Sequence, residues 1–256
     1  MKRLLCAALA ALMPVTALAQ DVLVLGEVHD NPAHHETQAA RVAQLQPAAI
    51  VFEMLTPAQA ARVAPDLRDD PEKLGKVLEW EARGWPDFGM YYPIFAAAPQ
   101  ARIYGAGLPR AQARDAMETG IAESFGGDPA AYGLDRPLPE DERAAREAEQ
   151  MAAHCDALPE SALPGMVAIQ RLRDAMLARA AVRAVRDTGG PVAVITGNGH
   201  ARADRGMPRF LRRVAPDLDV HVVGQTEDDR TLPGRFDEVI SAPGVDRPDP
   251  CAAFSG

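Results

Sequence analysis

The chain has 256 residues, 47% of them apolar and 25% charged, which suits one sizeable hydrophobic core and is too apolar for a disordered segment. Its 36 acidic residues outnumber 27 basic ones, giving a net charge of −9, and the bases form no block. Nucleic acid is therefore a poor partner, since gripping phosphates needs a concentrated positive face.

The N-terminus reads as a secretory signal over residues 1–19. Lys2 and Arg3 are its basic start, residues 4–15 an apolar core broken only by Pro14, and Ala17-Leu18-Ala19 a small-residue cleavage site. The core is well short of the ~20 residues that span a bilayer. Gln20 and Asp21 stand where a lipoprotein would carry Cys. The expectation is one exported domain over 20–256, soluble in the periplasm or otherwise outside the cytoplasm. In such an oxidising compartment Cys155 and Cys251 can pair, although sequence does not fix their distance.

Short apolar runs at 21–25, 48–52, 101–104, 191–195 and 218–223 read as buried strands. Helical patterns lie between them, at about 31–45, 57–65, 71–83, 90–98, 109–118, 139–155 and 164–187. The first opens on Asn31-Pro32, a cap followed by proline at the first helical position, and Pro47 ends it. Alternation of this kind predicts an α/β fold with a mainly parallel sheet covered on both faces. The Gly- and Pro-rich stretch 126–139 reads as an exposed linker. The helices around 138–187 read as an insertion that forms a lid or a partner surface.

Ligands of parallel sheets bind beyond the carboxyl ends of the strands. The first strand is followed by Gly26-Glu27-Val28-His29, the second by Glu53, and the fourth by Gly197-Asn198-Gly199-His200. Three strand ends thus bring Glu27, His29, Glu53 and His200 toward one place. In His34-His35-Glu36-Thr37-Gln38 the H-E-x-x-H zinc signature fails, because Ala39 stands where its second histidine belongs. His35 shares a helical face with Gln38, Val42 and Leu45, which turns it toward the sheet end or leaves it solvated. Six of the chain's few aromatic residues fall between 80 and 95, among them Trp80, Trp85, Tyr91 and Tyr92. They serve either ordinary core packing or the wall of a flat-ligand pocket with a tyrosinate as iron ligand.

With GEVHDNPAHHETQ at 26–38, VFEM at 51–54, WPDFGMYYPIF at 85–95, MVAIQRLRDAM at 166–176 and GNGHARADRGMP at 197–208, the sequence resembles the ChaN-like family of haem-binding, iron-regulated proteins. The resemblance implies a haem carrier for uptake or storage, with two haems stacked at a homodimer interface and an outer-membrane haem receptor as a further partner. It implies a tyrosine ligand to iron, Tyr91 or alternatively Tyr92. His29, His35 or His200 would support that tyrosine, with Glu27 and Glu53 nearby. Members are usually lipoproteins, and the missing lipid-anchor cysteine departs from that pattern.

More distantly, the same strand ends are similar to those of the erythromycin esterase, TIKI and TraB superfamily. That likeness implies a hydrolase in which Glu27, His29, Glu53 and His200 activate water directly or through a divalent metal. No G-x-S-x-G elbow is present for a serine hydrolase. The carrier is the favoured reading and the enzyme its alternative.

Overall fold

A computed structural model describes residues 20–249 and 251–252. The expected signal at 1–19 lies outside them. Six strands form the sheet: β1 Val22–Leu25, β2 Ala49–Phe52, β3 Arg102–Gly105, β4 Val192–Ile195, β5 Val220–Glu227 and β6 Glu238–Ala242. They lie in the order β3-β2-β4-β1-β5-β6, and every pairing is parallel. The α/β class expected from the alternating pattern is the class observed.

Ten helices accompany the strands among the described residues: α1 Pro32–Leu45, α2 Pro57–Ala60, α3 Pro71–Val77, α4 Phe88–Ala97, α5 Arg110–Thr119, α6 Ile121–Phe125, α7 Glu140–Ala153, α8 Leu163–Thr188, α9 Asn198–Ala201 and α10 Met207–Val214. The first four-residue strands VLVL, AIVF and VAVI are buried throughout, which is why they are continuously apolar. Val22, Val24, Val51 and Val194 point to a core shared with α5, α8 and α10. Their alternating neighbours Leu23, Leu25, Phe52 and Ile195 point to the other face, covered by α1 and α4. On that second face Phe52 and Phe95 stack at 4.3 Å.

Local chemistry sets the helix ends. The Asn31 side chain accepts a hydrogen bond from the Ala33 amide, Pro32 occupies the first turn, and α1 closes with Gln46 in the left-handed region. Asp87 caps α4 through the Gly89 amide, and α8 ends at Gly189 with φ 81°.

The helix expected at 57–65 is only one turn, and that expected at 71–83 stops at Val77, after which Glu79 takes φ 53°. β6 has no counterpart among the expected strands, because it is a half-exposed edge of alternating polarity with Val239 facing solvent. The 126–139 stretch is pinned rather than loose. Leu134 is buried, and Arg171 donates to the carbonyls of Gly133 and Arg136. The 138–187 region divides in two: α8 is a layer of the core, while α7 rests on α8 from outside. Among the described residues no helix is long and apolar enough to cross a membrane.

Cys155 and Cys251 form a disulfide across a separation of 96 residues, with Cα atoms 5.5 Å apart. It ties the C-terminal segment to the end of α7. A closed loop of this length removes much of the unfolded chain's freedom, so Cys251→Ser is expected to cost about 2–4 kcal/mol. Urea denaturation of the oxidised protein and the variant checks this, and equal midpoints would refute it.

Candidate functional site

β2, β4 and β1 are neighbours at the centre of the sheet. Their carboxyl ends therefore bring the loops carrying Glu53, 196–200 and 26–31 together, as the strand-end reasoning requires. Two adjoining cavities open there. One, of about 540 Å³, is bordered by Glu27, His29, Glu53, His200, Trp85 and residues of α7 and α8. The other, of about 370 Å³, shares Glu53, Trp85 and Arg173 with it and continues toward Met54 and Gly107.

Glu27 is the node of the first half of the site. Only 2% exposed, its Oε1 accepts the Tyr91 hydroxyl at 2.6 Å and lies 2.6 Å from His29 Nδ1. Its Oε2 accepts from Gln38 Nε2 at 2.7 Å and sits 3.5 Å from His35 Nδ1. Burial costs His29 some proton affinity, but the bond to Glu27 and the charge of Glu53 outweigh it and raise its pKa. The His29 side chain is 36% exposed, and its ring meets Trp85 edge-on at 5.1 Å. A Cβ on Gly197 would lie 3.0 Å from His29 Nε2, so the glycine gives that nitrogen its room.

The second half is a chain of three groups. Asp174 Oδ1 is 2.7 Å from His200 Nδ1, and His200 Nε2 is 3.6 Å from Glu53 Oε1. Glu53 Oε2 accepts from Thr196 Oγ1 at 2.6 Å and from the Gly197 amide at 2.9 Å. Burial works against a charged His200, yet Glu53 and Asp174 on either side hold its pKa up at about 9. Glu53 is correspondingly lowered by His200 and His29 against the pull of burial, whereas for Asp174 burial prevails and raises it.

Both candidate tyrosines lie away from the cavity walls. Tyr91 is wholly buried between His35, at a ring distance of 4.1 Å, and Trp80, at 4.8 Å. Burial and the charge of Glu27 push its pKa far up, so it remains a neutral phenol committed to Glu27. The Tyr92 hydroxyl donates to the Arg68 carbonyl at 2.8 Å. Neither borders the two cavities. His35 likewise faces inward, with Nε2 donating to the His29 carbonyl at 2.8 Å. It shapes the loop and borders neither cavity. Glu27, His29, Glu53 and His200 are brought together as expected.

Asp174 escaped the sequence reasoning, although a signal existed: a carboxylate among Leu172, Ala175, Leu177 and Ala178 on the buried face of α8 requires a partner. Of the arginines at the cavity, Arg173 and Arg202 are those that the haem resemblance already brings forward as partners for propionates, whereas Arg146 and Arg205 left no such trace. Glu27 pairs with His29 and Glu53 with His200, and among the described residues no three His, Cys, Asp or Glu side chains are grouped as metal ligands.

Two outcomes follow from this geometry. The stability that the raised His200 contributes is complete below its ordinary value of 6.5 and is lost as pH rises through about 9. Melting temperatures should fall over that interval in the native protein and much less in His200→Gln. Tyr91→Phe leaves the buried Glu27 without one donor and should cost about 1–3 kcal/mol in urea denaturation; an unchanged midpoint would refute the bond.

The family described as haem-binding uptake, Tiki superfamily, ChaN, has a model that matches residues 14–211. The fold is similar to that of ChaN of Campylobacter jejuni, a protein with cofacial haem binding, at 19% identity and TM-score 0.63, over 83% of this chain and 84% of that one. It is also similar to the type III effector HopBA1, at 13% identity and TM-score 0.46, over 87% and 88% of the two chains. No curated protein matches the sequence. Spanning the three strand ends and most of the helices that build the two cavities, the family match shows that the chain belongs to the ChaN family of the Tiki superfamily.

Proposed function

We propose that the protein is an exported haem carrier serving haem or iron uptake or storage, with His29 as the iron ligand. The observation that carries this is His29 itself. Of the histidines bordering the cavities, it has the one ring nitrogen, Nε2, with no partner among the described residues, while Nδ1 is backed by the buried Glu27. A carboxylate behind one nitrogen fixes the ring and makes the other a better ligand, the usual arrangement of a metal-binding histidine, and histidine is a common axial ligand of haem iron.

The chemistry of the surroundings fits the group. Trp85 and Val167 offer apolar surface, and Arg146, Arg173, Arg202 and Arg205 border the same cavity, where guanidinium groups suit carboxylates. When bound, haem would supply a ferric centre to be carried, while this chain's residues orient and retain it. The disulfide Cys155–Cys251 supports export to an oxidising compartment. The cofacial haems of the Campylobacter jejuni relative support a haem-loaded dimer of two copies of this chain.

One observation favours a second reading. Asp174, His200 and Glu53 are aligned as an acid–base chain along the same cavity, the arrangement by which a hydrolase positions and deprotonates water.

Titration of the purified protein with hemin distinguishes the two. The carrier predicts a saturable Soret shift and a larger particle when loaded. His29→Ala should weaken binding at least tenfold, and Glu27→Gln about 10–100-fold. No Soret shift, together with ester or peptide hydrolysis lost in His200→Ala, would establish the enzyme instead.

A further inference from the structure

Four arginines border the larger cavity, and three of them are engaged. Arg146 pairs with Glu142 at 2.6 Å, Arg202 with Asp204 at 2.6 Å and Arg205 with Glu149 at 2.9 Å. Arg173 alone among them has no hydrogen-bond or ion-pair partner among the described residues. It is half-buried on α8, one residue before Asp174, and it borders both cavities where they join. Its charge is felt by His200, whose proton affinity it lowers. Across the same space, the side-chain oxygen of Gln150 is buried without a partner.

A guanidinium on a cavity wall with no carboxylate of the chain beside it is available to an anionic ligand. Its planar fork is shaped to take both oxygens of a carboxylate. We infer that Arg173 is the anchor for a carboxylate of the ligand at the junction of the two cavities. Resting on the haem reading, this makes Arg173 the residue that reads one haem propionate and so selects acidic porphyrins over neutral ones. The three engaged arginines instead hold α7 to the loop after α9, since Arg202 and Arg205 both reach Glu149 and Arg146 donates to the Arg205 carbonyl.

The test compares hemin with hemin dimethyl ester, whose propionates are capped, on the full-length oxidised protein. Native protein should prefer hemin by roughly tenfold to a hundredfold, the range of a charge-assisted hydrogen bond. R173Q should weaken hemin binding by a similar factor and bind the two porphyrins equally, with R173K intermediate, while all variants keep the native melting temperature. Undiminished preference for hemin in R173Q would overturn the assignment of Arg173 and leave the haem reading standing. Binding of neither porphyrin by the native protein would overturn both.

Discussion

A single buried carboxylate organises the centre of this protein. Glu27 has left water almost completely, and such a group is tolerable only when its oxygens are satisfied. Tyr91 and Gln38 donate to it, and the two histidines 29 and 35 stand beside it. Those partners come from α4, α1 and the loop after β1, so the demand of one carboxylate ties the helical layer of one sheet face to the strand ends. It also decides what is left over. Tyr91 and His35 are consumed by the support of Glu27, and His29 emerges with one nitrogen toward the cavity that has no partner among the described residues.

The topology supplies the rest. Because β4 inserts between β2 and β1, the chain segments that carry Glu53, Thr196 to His200 and Glu27 to His29 converge although they are far apart in sequence. Asn198 fastens the loop after β4 to β5 by donating to the Gln225 carbonyl and accepting from the Gln225 amide. α8 contributes twice. Its apolar face fills the core, and the polar pair Arg173 and Asp174 at its middle faces the cavities.

Much of this was legible in the sequence, for stated physical reasons. Strands buried on both faces leave uninterrupted runs such as VLVL and VAVI, and Asn31-Pro32 announces a helix start. Glycines beside Glu27 and His200 mark tight strand ends. What stayed hidden depended on tertiary partners. The edge strand β6 carries no apolar run because one side of it is wet. Where the tyrosines turn was not legible either, because the aromatic cluster at 80–95 says nothing about which way each ring points. Packed around Trp80 and Phe95, that cluster spends Tyr91 inside the protein and leaves Trp85 at the cavity. The negative overall charge was equally uninformative about the ligand, since the arginines of α7, α8 and the loop after α9 gather only in the folded chain.

On the proposed carrier reading, Glu27 holds His29, and not a tyrosine, toward the iron. Resonance Raman spectroscopy of the ferric haem complex tests it most directly, because phenolate ligation produces ring and C–O modes of the tyrosinate that histidine ligation lacks. The account predicts no phenolate modes in the native protein, an unchanged ligand signature in Tyr91→Phe, and loss of the native signature in His29→Ala. Phenolate modes in the native protein that vanish in Tyr91→Phe and persist in His29→Ala would contradict it.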